Sequence, residues 1–412
     1  MDQTTFKNFL GEHIAPMFSG CTIEGEEPAV RRSRKRAMQA DPQRIKVRWD
    51  NEHLFQFNLK RSQEFSQQDA AFVNDVILNL NEVARVEGTP YFEELIGAAI
   101  RRAVATQAAR AFTDTVNQIL RELEQWSEET YEGRPISAVL GITPGPAVQN
   151  AIPLKTLLAK SFSKVATGSL EAIATLSADG SFAGYESLPM PSAINEIKAP
   201  QRFASIAQWA KDGKVGLVLS RNGEVMVFRN GELGFARRRG RWRQFNHSAL
   251  ITRIGMNRVF IKPLCTAVYL SCLDVSFAKV GGGIGMIDID PVKRQSLVDD
   301  GRVDADDSLN GASDKARFLN QAVRARKFQE LERPLRQTLL AMDGSTVLQR
   351  DGTVVAVGAI IKVEAGSKTG GGRKAAAMTF GRYGLGIKVS SDGEIAGFNQ
   401  SGQIQDPFFT FG

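Results

Sequence analysis

The chain has 412 residues and a net charge of +7, and its apolar and charged fractions of 42% and 24% are those of an ordinary soluble globular protein. This length predicts two or three domains, and the positive charge favours anionic ligands. Three cysteines without a CxxC pair and three histidines far apart in sequence argue against a disulfide framework, a zinc site and a His-based metal centre. The sequence contains no run of about 18 apolar residues and no signal-peptide pattern, so we expect a cytoplasmic protein without a membrane partner.

Residues 1–148 are predicted to form a mainly helical domain. Apolar side chains recur with the 3.6-residue period of a helix in Ala70–Val83 and throughout Tyr91–Trp126. A strand is expected earlier in the chain, at Ile45–Trp49. Gly133–Val148 is rich in glycine and proline, which predicts a linker at the end of this domain.

The densest basic run is Arg31–Arg36, with the sequence RRSRKR. Such a run contacts nucleic acid or an acidic partner in some proteins and forms a solvated loop in others. No aromatic residues alternate with the basic ones here, so nothing indicates base stacking. The sequence therefore favours the solvated loop and leaves nucleic acid as an alternative partner.

Residues 149–258 are predicted to be rich in β-structure. A hairpin is expected from Ala172–Leu176 and Phe182–Leu188, and a helix at Ala204–Lys211. Two Asn-Gly pairs, which begin at Asn222 and Asn230, are strong signals for two-residue hairpin turns because both of their positions accept positive φ. They predict a meander of three strands: Val215–Leu219, Glu224–Phe228 and Leu233–Arg237.

The meander ends in Phe235–Arg243, where arginines alternate with aromatic residues. Arginines beside Phe235 and Trp242 are typical of a surface that binds phosphates and stacks a base. The alternative is an edge strand with exposed arginines and an inward-facing Trp242, in which the charges suppress pairing with other strands. The sequence slightly favours the edge strand and leaves nucleic-acid binding through Arg237–Arg243 open.

Residues 259–412 are predicted to form a third domain in which strands and helices are mixed. The glycines at Gly281–Gly283 suggest a nucleotide loop, but they lead into a strand, which favours close backbone packing. The expected elements are a strand and helix in Val259–Leu273, a buried strand in Gly281–Ile289, a polar, mobile loop at Asp299–Lys315, a helix at Ala316–Met342 that Pro334 kinks or splits, and hairpins at Val347–Ile361 and Val389–Ile395.

Two short motifs in this domain suggest a phosphate site. Asp343–Ser345 forms the predicted junction between a helix and a strand. Gly370–Gly372 are poor helix formers and the alanines after Arg373 and Lys374 are good ones, so a helix should begin at Arg373. A glycine loop at a helix N-terminus presents backbone N–H groups and the positive end of the helix dipole to an anion. With the two added cations, this pattern predicts a polyphosphate cradle.

The order of these elements resembles the diadenylate cyclase (DAC) domain over roughly residues 260–412. That family has an Asp-Gly-Ala turn, matched by Asp343–Ser345, and a Gly-Thr-Arg-His-Arg-Ala-Ala turn, matched by residues 370–376. The hairpin Val347–Ile361 and the segments Ala278–Ile287 and Val389–Ile395 are also similar to family strands. The resemblance implies a mixed sheet flanked by helices.

The resemblance implies that this domain binds ATP or a cyclic dinucleotide. It implies that Asp343 is catalytic and holds a ribose hydroxyl or a Mg²⁺ or Mn²⁺ ion. It also implies a homo-oligomer, because two ATP molecules must face each other for each 3′-hydroxyl to attack the other's α-phosphate. The implied nucleotide-binding residues are Gly344, Ser345, Gly370, Gly371, Gly372, Arg373 and Lys374.

The sequence departs from the family mainly in the basic turn. Gly372, Arg373 and Lys374 stand at the positions of Arg-His-Arg, and Ser391 and Asp392 stand where the family usually has acidic residues. Lysine is a point charge, whereas arginine is a planar, bidentate donor, and catalysis tolerates such changes less well than binding does. The sequence thus predicts an α/β (α+β) protein of a divergent, sensor-type branch that binds an adenine nucleotide or cyclic dinucleotide. An active diadenylate cyclase is the alternative, and a nucleic-acid-binding protein is the third hypothesis.

Overall fold

The computed structural model describes residues 2–18, 20–27, 35–50, 54–61, 64–83, 92–146, 149, 151–159, 167–255, 259–287, 303, 307–362, 371–399 and 407–411. The chain divides into two compact units: unit 1 is Met1–Ser192 with Phe203–Asn246, and unit 2 is Ala193–Arg202 with His247–Gly412. The described ranges contain eleven α-helices and four sheets with both parallel and antiparallel pairs, which confirms the predicted α+β class. The division into three domains at residues 148 and 258 stays a prediction.

The N-terminal part of unit 1 is a helix followed by an antiparallel sheet. Helix α1 (Gln3–Phe9) is capped by Asp2, whose carboxylate accepts a hydrogen bond from the N–H of Thr5 at 2.7 Å. Strands β1 (Thr22–Glu27), β2 (Ala37–Asp41), β3 (Arg44–Asp50) and β4 (Leu54–Lys60) follow, in the spatial order β1-β4-β3-β2. The strand predicted at Ile45–Trp49 is confirmed as β3, and the region predicted to be mainly helical contains a sheet as well.

The helical segments predicted in unit 1 are confirmed with one interruption. Helices α2 (Gln67–Val83), α3 (Phe92–Ala108) and α4 (Thr113–Trp126) lie in them. The segment Tyr91–Trp126 is divided at Ala109, whose backbone is extended, and at a 3-10 turn. The apolar faces of these helices pack into one core with side chains of both large sheets of the unit.

A seven-stranded sheet forms the rest of unit 1. Its strands are β7 (Ala138–Ile142), β8 (Ala172–Leu176), β9 (Phe182–Ser187), β10 (Val215–Leu219), β11 (Val225–Arg229), β12 (Glu232–Arg238) and β13 (Arg241–Gln244), in the order β13-β12-β11-β10-β7-β8-β9. A small ladder, β5 (Thr130–Tyr131) with β6 (Arg134–Pro135), precedes them, and α5 (Leu154–Ala159) and α6 (Ala204–Trp209) connect strands. The predicted hairpin, the three strands of the meander and the helix at Ala204 are confirmed. The two-residue turn predicted at Asn222 and Gly223 is wrong, because only Gly223 has positive φ and residues 220–224 separate the paired ends of β10 and β11.

The prediction of a linker at Gly133–Val148 is wrong. This segment contains β7, which is buried along its whole length and pairs parallel with β8 and antiparallel with β10. Its glycine and proline content reflects the turns on either side and close packing within the strand. A Cβ on Gly141, for example, would lie 2.7 Å from Cδ1 of Ile173.

Unit 2 has five helices within the described ranges: α7 (His247–Ile254), α8 (Lys262–Phe277), α9 (Asp314–Val323), α10 (Arg333–Ala341) and α11 (Gly371–Gly381). The strand predicted at the start of Val259–Leu273 is wrong, because residues 259–261 are irregular and α8 begins with Pro263 in its first turn. The predicted split of Ala316–Met342 is confirmed: α9 ends at Val323, where Arg324 is left-handed, and α10 begins at Arg333 with Pro334 in its first turn. Residues 299–302 and 304–306 of the predicted loop Asp299–Lys315 lie outside the described residues. Residues 308–313 lie outside helices and strands, but the prediction is wrong at Asp314 and Lys315, which already belong to α9.

The sheet of unit 2 is mixed. Its strands are β14 (Gly282–Ile287), β15 (Ser345–Gln349), β16 (Val354–Ala359), β17 (Gly384–Val389), β18 (Ile395–Phe398) and β19 (Phe409–Phe411), in the order β16-β15-β14-β17-β18-β19. The central strand β14 is parallel to β15 and antiparallel to β17. The buried strand and both hairpins predicted for this region are therefore confirmed.

Helices cover both faces of β14. Phe380 of α11 packs on one face, where a Cβ on Gly285 would lie 2.5 Å from its ring. On the other face, a Cβ on Gly282 would lie 2.6 Å from the carbonyl oxygen of Leu340 in α10. Helix α11 also lies against β17, where a Cβ on Gly386 would overlap the carbonyl oxygen of Ala377. These contacts fix the position of α11, and with it the place where the helix begins.

Candidate functional site

The two predicted motifs meet at one edge of the unit 2 sheet, namely the side on which the parallel strands β14 and β15 begin. Strands β14 and β15 are parallel, so Gly281, which precedes β14, and Asp343, which shortly precedes β15, lie at the same edge. Helix α11 begins there, because Arg373 in its first turn contacts Gly281. The structure therefore brings together a carboxylate, a guanidinium and a helix N-terminus.

The turn at Asp343 and Gly344 depends on close contact between two stretches of backbone. Gly344 has a φ of +95°, and a Cβ on it would lie 2.5 Å from the carbonyl carbon of Gly358. Only glycine satisfies both conditions. Oδ1 of Asp343 accepts a hydrogen bond from the N–H of Gly344 at 3.1 Å, while the Asp343 side chain is 98% exposed. Ser345 is buried, so Asp343 is the member of this motif that presents its side chain to solvent.

The guanidinium of Arg373 lies over Gly281. A Cβ on Gly281 would lie 2.5 Å from Cζ of Arg373, so a larger residue would displace the arginine. Nη2 of Arg373 is 4.0 Å from Oδ1 of Asp343, and 41% of the arginine side chain is exposed. The close-packing interpretation of Gly281–Gly283 is thus confirmed: this backbone supports the guanidinium from one side and leaves its other side open to solvent.

Helix α11 begins two residues earlier than predicted, at Gly371, which has a φ of +80°. Gly371 and Gly372 are exposed, and a Cβ built on either would have no described atom within 4 Å. The first N–H groups of a helix have no partner within the helix, and the helix dipole is positive at this end. Lys374 is half-buried, and Gly370 lies outside the described residues.

A polar cluster beside the turn was missed by the sequence reasoning. Nζ of Lys315 lies 2.5 Å from Oδ1 of Asp307 and donates a hydrogen bond to the carbonyl oxygen of Gly358 at 3.0 Å. Oδ2 of Asp307 accepts a hydrogen bond from the N–H of Ile360 at 3.1 Å. No motif could have revealed this cluster, because tertiary folding alone brings α9 to the end of β16.

The basic segment Arg237–Arg243 forms the end of β12 and the edge strand β13. Trp242 is buried and donates through Nε1 to Glu124 at 3.1 Å, so its ring faces inward. Arg238 is also buried, in an ion pair with Glu224 at 2.8 Å. The edge strand and its inward tryptophan are therefore confirmed, whereas the expectation of exposed arginines is wrong at Arg238. In the other basic run, Arg31–Arg34 lie outside the described residues, and nucleic-acid binding stays a prediction.

Comparisons with known proteins give little further guidance. The sequence matches no protein-family model and no curated protein. One similar solved structure is that of a double mutant of DacA from Staphylococcus aureus, with 16% sequence identity and a TM-score of 0.22. The match covers 34% of this chain and 83% of the DacA chain, and a TM-score this low does not establish a shared fold. Among the helices that the structure describes, none is both long and apolar enough to cross a bilayer.

Proposed function

We propose that unit 2 binds the phosphate groups of an adenine nucleotide or cyclic dinucleotide at the edge formed by Asp343, Arg373 and the start of α11. One observation carries this proposal. The Arg373 guanidinium is supported by Gly281, half-open to solvent and 4.0 Å from an exposed carboxylate, at the positive end of an 11-residue helix. Arginine matches phosphate geometry through two parallel N–H donors, and the backbone amides at a helix N-terminus add further donors.

The same residues fit a divalent cation that arrives with the nucleotide. Among the residues that the structure describes, no group of three His, Cys, Asp or Glu side chains could hold a metal by itself. Mg²⁺ is commonly bound by one or two carboxylates together with phosphate oxygens and water. Asp343 would supply the carboxylate and the bound phosphates the other oxygens, so Mg²⁺ or Mn²⁺ would strengthen nucleotide binding.

Binding without efficient turnover is the function that these residues support best. The basic turn offers Arg373 and Lys374 where the resembled family has three consecutive basic or imidazole side chains. A lysine holds a phosphate as a point charge and does not fix its orientation as a bidentate guanidinium does. An active diadenylate cyclase is the second candidate, because the exposed Asp343 could hold a hydroxyl or a metal ion. That reaction would require two copies of the site to face each other.

The first test is calorimetric titration of the purified chain with ATP and with cyclic di-AMP, in the presence of Mg²⁺. The variant Arg373→Ala/Lys374→Ala should bind at least about a hundredfold more weakly, since charge-assisted hydrogen bonds contribute about 1.5–3 kcal/mol each and 1.4 kcal/mol is tenfold. Arg239→Ala/Arg241→Ala is the matched control, because it removes two exposed positive charges from unit 1. Equal affinity in the first variant and the unmutated protein would refute the proposed cradle.

The second test separates the sensor from the enzyme. The protein is incubated with ATP and Mg²⁺ or Mn²⁺, and the products are identified by mass spectrometry, with Asp343→Asn in parallel. Unchanged ATP in a sample that binds nucleotide supports the sensor. Cyclic di-AMP formed by the unmutated protein and not by Asp343→Asn establishes the cyclase instead.

A further inference from the structure

We propose that Lys315 is a positioning residue for the turn at Asp343 and Gly344. Together with Asp307 it fixes the end of β16, the backbone against which that turn is built. The role rests on the proposed function, since it concerns how the Asp343 carboxylate is held toward a nucleotide and its metal ion. Lys315 itself is not placed in contact with the ligand.

The pair formed by Lys315 and Asp307 holds two groups of one short backbone stretch. Lys315 lies in the first turn of α9, whose N-cap Ser313 accepts from the N–H of Ala316 at 3.1 Å. Its ammonium group donates to the carbonyl oxygen of Gly358, and its partner Asp307 accepts from the N–H of Ile360. A carbonyl and an N–H two residues apart are thus tied to one ion pair, so this stretch cannot shift without breaking a charge-assisted bond.

The stretch held in this way is in direct contact with the Asp343 turn. A Cβ on Gly358 would lie 2.9 Å from the carbonyl oxygen of Asp343, and one on Gly344 would lie 2.5 Å from the carbonyl carbon of Gly358. Ser345, the next residue along, pairs with Ala359 across the β15–β16 ladder. Because these backbones touch, a displacement of Gly358 must move Asp343 as well.

The stability that this ion pair provides does not explain its arrangement. The Lys315 side chain is 38% exposed and that of Asp307 16%, and an ion pair with one partner in contact with solvent usually contributes modestly to the free energy of unfolding. A small displacement matters more for a ligand that brings a metal ion, because Mg²⁺ demands near-ideal octahedral geometry from its oxygen ligands. The cluster is therefore better suited to fixing geometry than to stabilising the fold.

The first experiment measures ATP binding by calorimetry with and without Mg²⁺. In Lys315→Met, which keeps the aliphatic part of the side chain, affinity for ATP with Mg²⁺ should fall about tenfold and affinity without metal should stay unchanged. Lys315→Arg should restore most of the loss. Lys327→Met is the control, because Lys327 forms a similar exposed ion pair, 3.2 Å from Asp351. Full affinity in Lys315→Met would overturn the proposal, and so would an equal loss with and without metal, which would indicate direct phosphate contact.

A second measurement is independent of any ligand. Glycine-selective ¹⁵N labelling gives backbone amide signals for both Gly358 and Gly344. In ligand-free Lys315→Met, both signals should shift or broaden, and neither should do so in Lys327→Met. If the Gly358 signal moves while Gly344 stays in place, the positioning role is refuted whether or not the protein binds a nucleotide. If both signals move but no nucleotide binds to the unmutated protein, the proposed function fails and the positioning of the turn stands.

Discussion

Replacement of Arg333 by leucine should destabilise unit 2 by about 3–5 kcal/mol, the usual cost of removing one partner from a buried ion pair. Arg333 is completely buried in the first turn of α10, and its Nε and Nη2 each lie 2.7 Å from an oxygen of Asp274 in α8, which is also buried. This pair joins the two helices through two hydrogen bonds between opposite charges. It also lies on the helix that leads directly to Asp343.

The magnitude follows from the hydrogen-bond inventory of the guanidinium. Besides the two bonds to Asp274, Arg333 donates to the carbonyl oxygens of Ile194, Ile197 and Ala199. A guanidinium has five N–H donors, and all five are therefore used. Leucine would leave a buried carboxylate and three carbonyl groups without these donors. The N–H of Gln201, which donates to Asp274 at 2.6 Å, and the nearby charge of Arg336 would offset part of the loss.

Two companion variants test this reasoning. Asp274→Asn leaves Arg333 bonded to its three carbonyl acceptors and keeps one oxygen for the remaining donors, so its cost should be smaller, about 1–3 kcal/mol. The double variant Arg333→Leu/Asp274→Asn removes both charges and should be less destabilised than Arg333→Leu alone. The difference between the double variant and the sum of the single ones measures the coupling of the pair.

The assay is equilibrium unfolding in urea, followed by two signals. Tryptophan fluorescence follows unit 1, because all four tryptophans belong to it: Trp49, Trp126, Trp209 and Trp242. Far-ultraviolet circular dichroism follows the helices and strands of both units. The loss in Arg333→Leu should therefore appear in the circular dichroism transition. A loss below about 1 kcal/mol, or a double variant as unstable as the two single losses combined, would refute the account of a fully satisfied buried pair.

Three further outcomes are expected. Gly386→Ala should destabilise unit 2 by about 1–3 kcal/mol, because the added Cβ would lie 2.6 Å from the carbonyl carbon of Ala377 in α11. Gly372→Ala, in the open first turn of α11, should be neutral or stabilising. Equal thermal midpoints of the two variants would contradict this. Burial raises the pKa of the Cys21 thiol to about 12 and that of the Cys265 thiol to about 11. Iodoacetamide near pH 8 should therefore alkylate both cysteines at least about a hundredfold more slowly in the folded than in the unfolded protein, as measured by mass spectrometry. Because folding raises both pKa values, the two neutral thiols should contribute fully to the free energy of unfolding below about pH 8.5. That contribution should be lost as the pH rises toward the pKa values of the folded protein, and urea unfolding at several pH values can detect the loss.

Local sequence signals predicted most of the individual elements. The Asn-Gly pair at Asn230 gave the β11–β12 turn, where Asn230 and Gly231 both have positive φ. The helical period predicted α2, α3 and α4, and Pro334 indicated the first turn of α10. Each of these signals acts through neighbouring residues, by fixing φ, removing an N–H donor or placing apolar side chains on one face. The prediction of a linker at Gly133–Val148 was wrong because it used local composition alone. Glycine and proline are also found around a buried strand such as β7.

The sequence also supplied the candidate site residues, and their proposed functions await the experiments above. Asp343 and Arg373 stand out in the sequence because an Asp-Gly turn and a glycine-basic turn have chemical properties of their own. Their separation of 4.0 Å, and the support of the arginine by Gly281, depend on the pairing of β14 with β15 and the packing of α11. That distance cannot be predicted from a pattern of neighbouring residues.

The sequence by itself determined where helices, strands and turns occur and which charged residues stand beside flexible glycines, because those properties arise from a residue and its near neighbours. Only the tertiary structure decided which of these residues meet. Lys315 reaches Gly358, and Arg333 reaches Asp274 and residues 194–199, through contacts between segments far apart in the chain. Such contacts are fixed by strand pairing and by the packing of helices on the sheet, which depend on the whole fold of the unit.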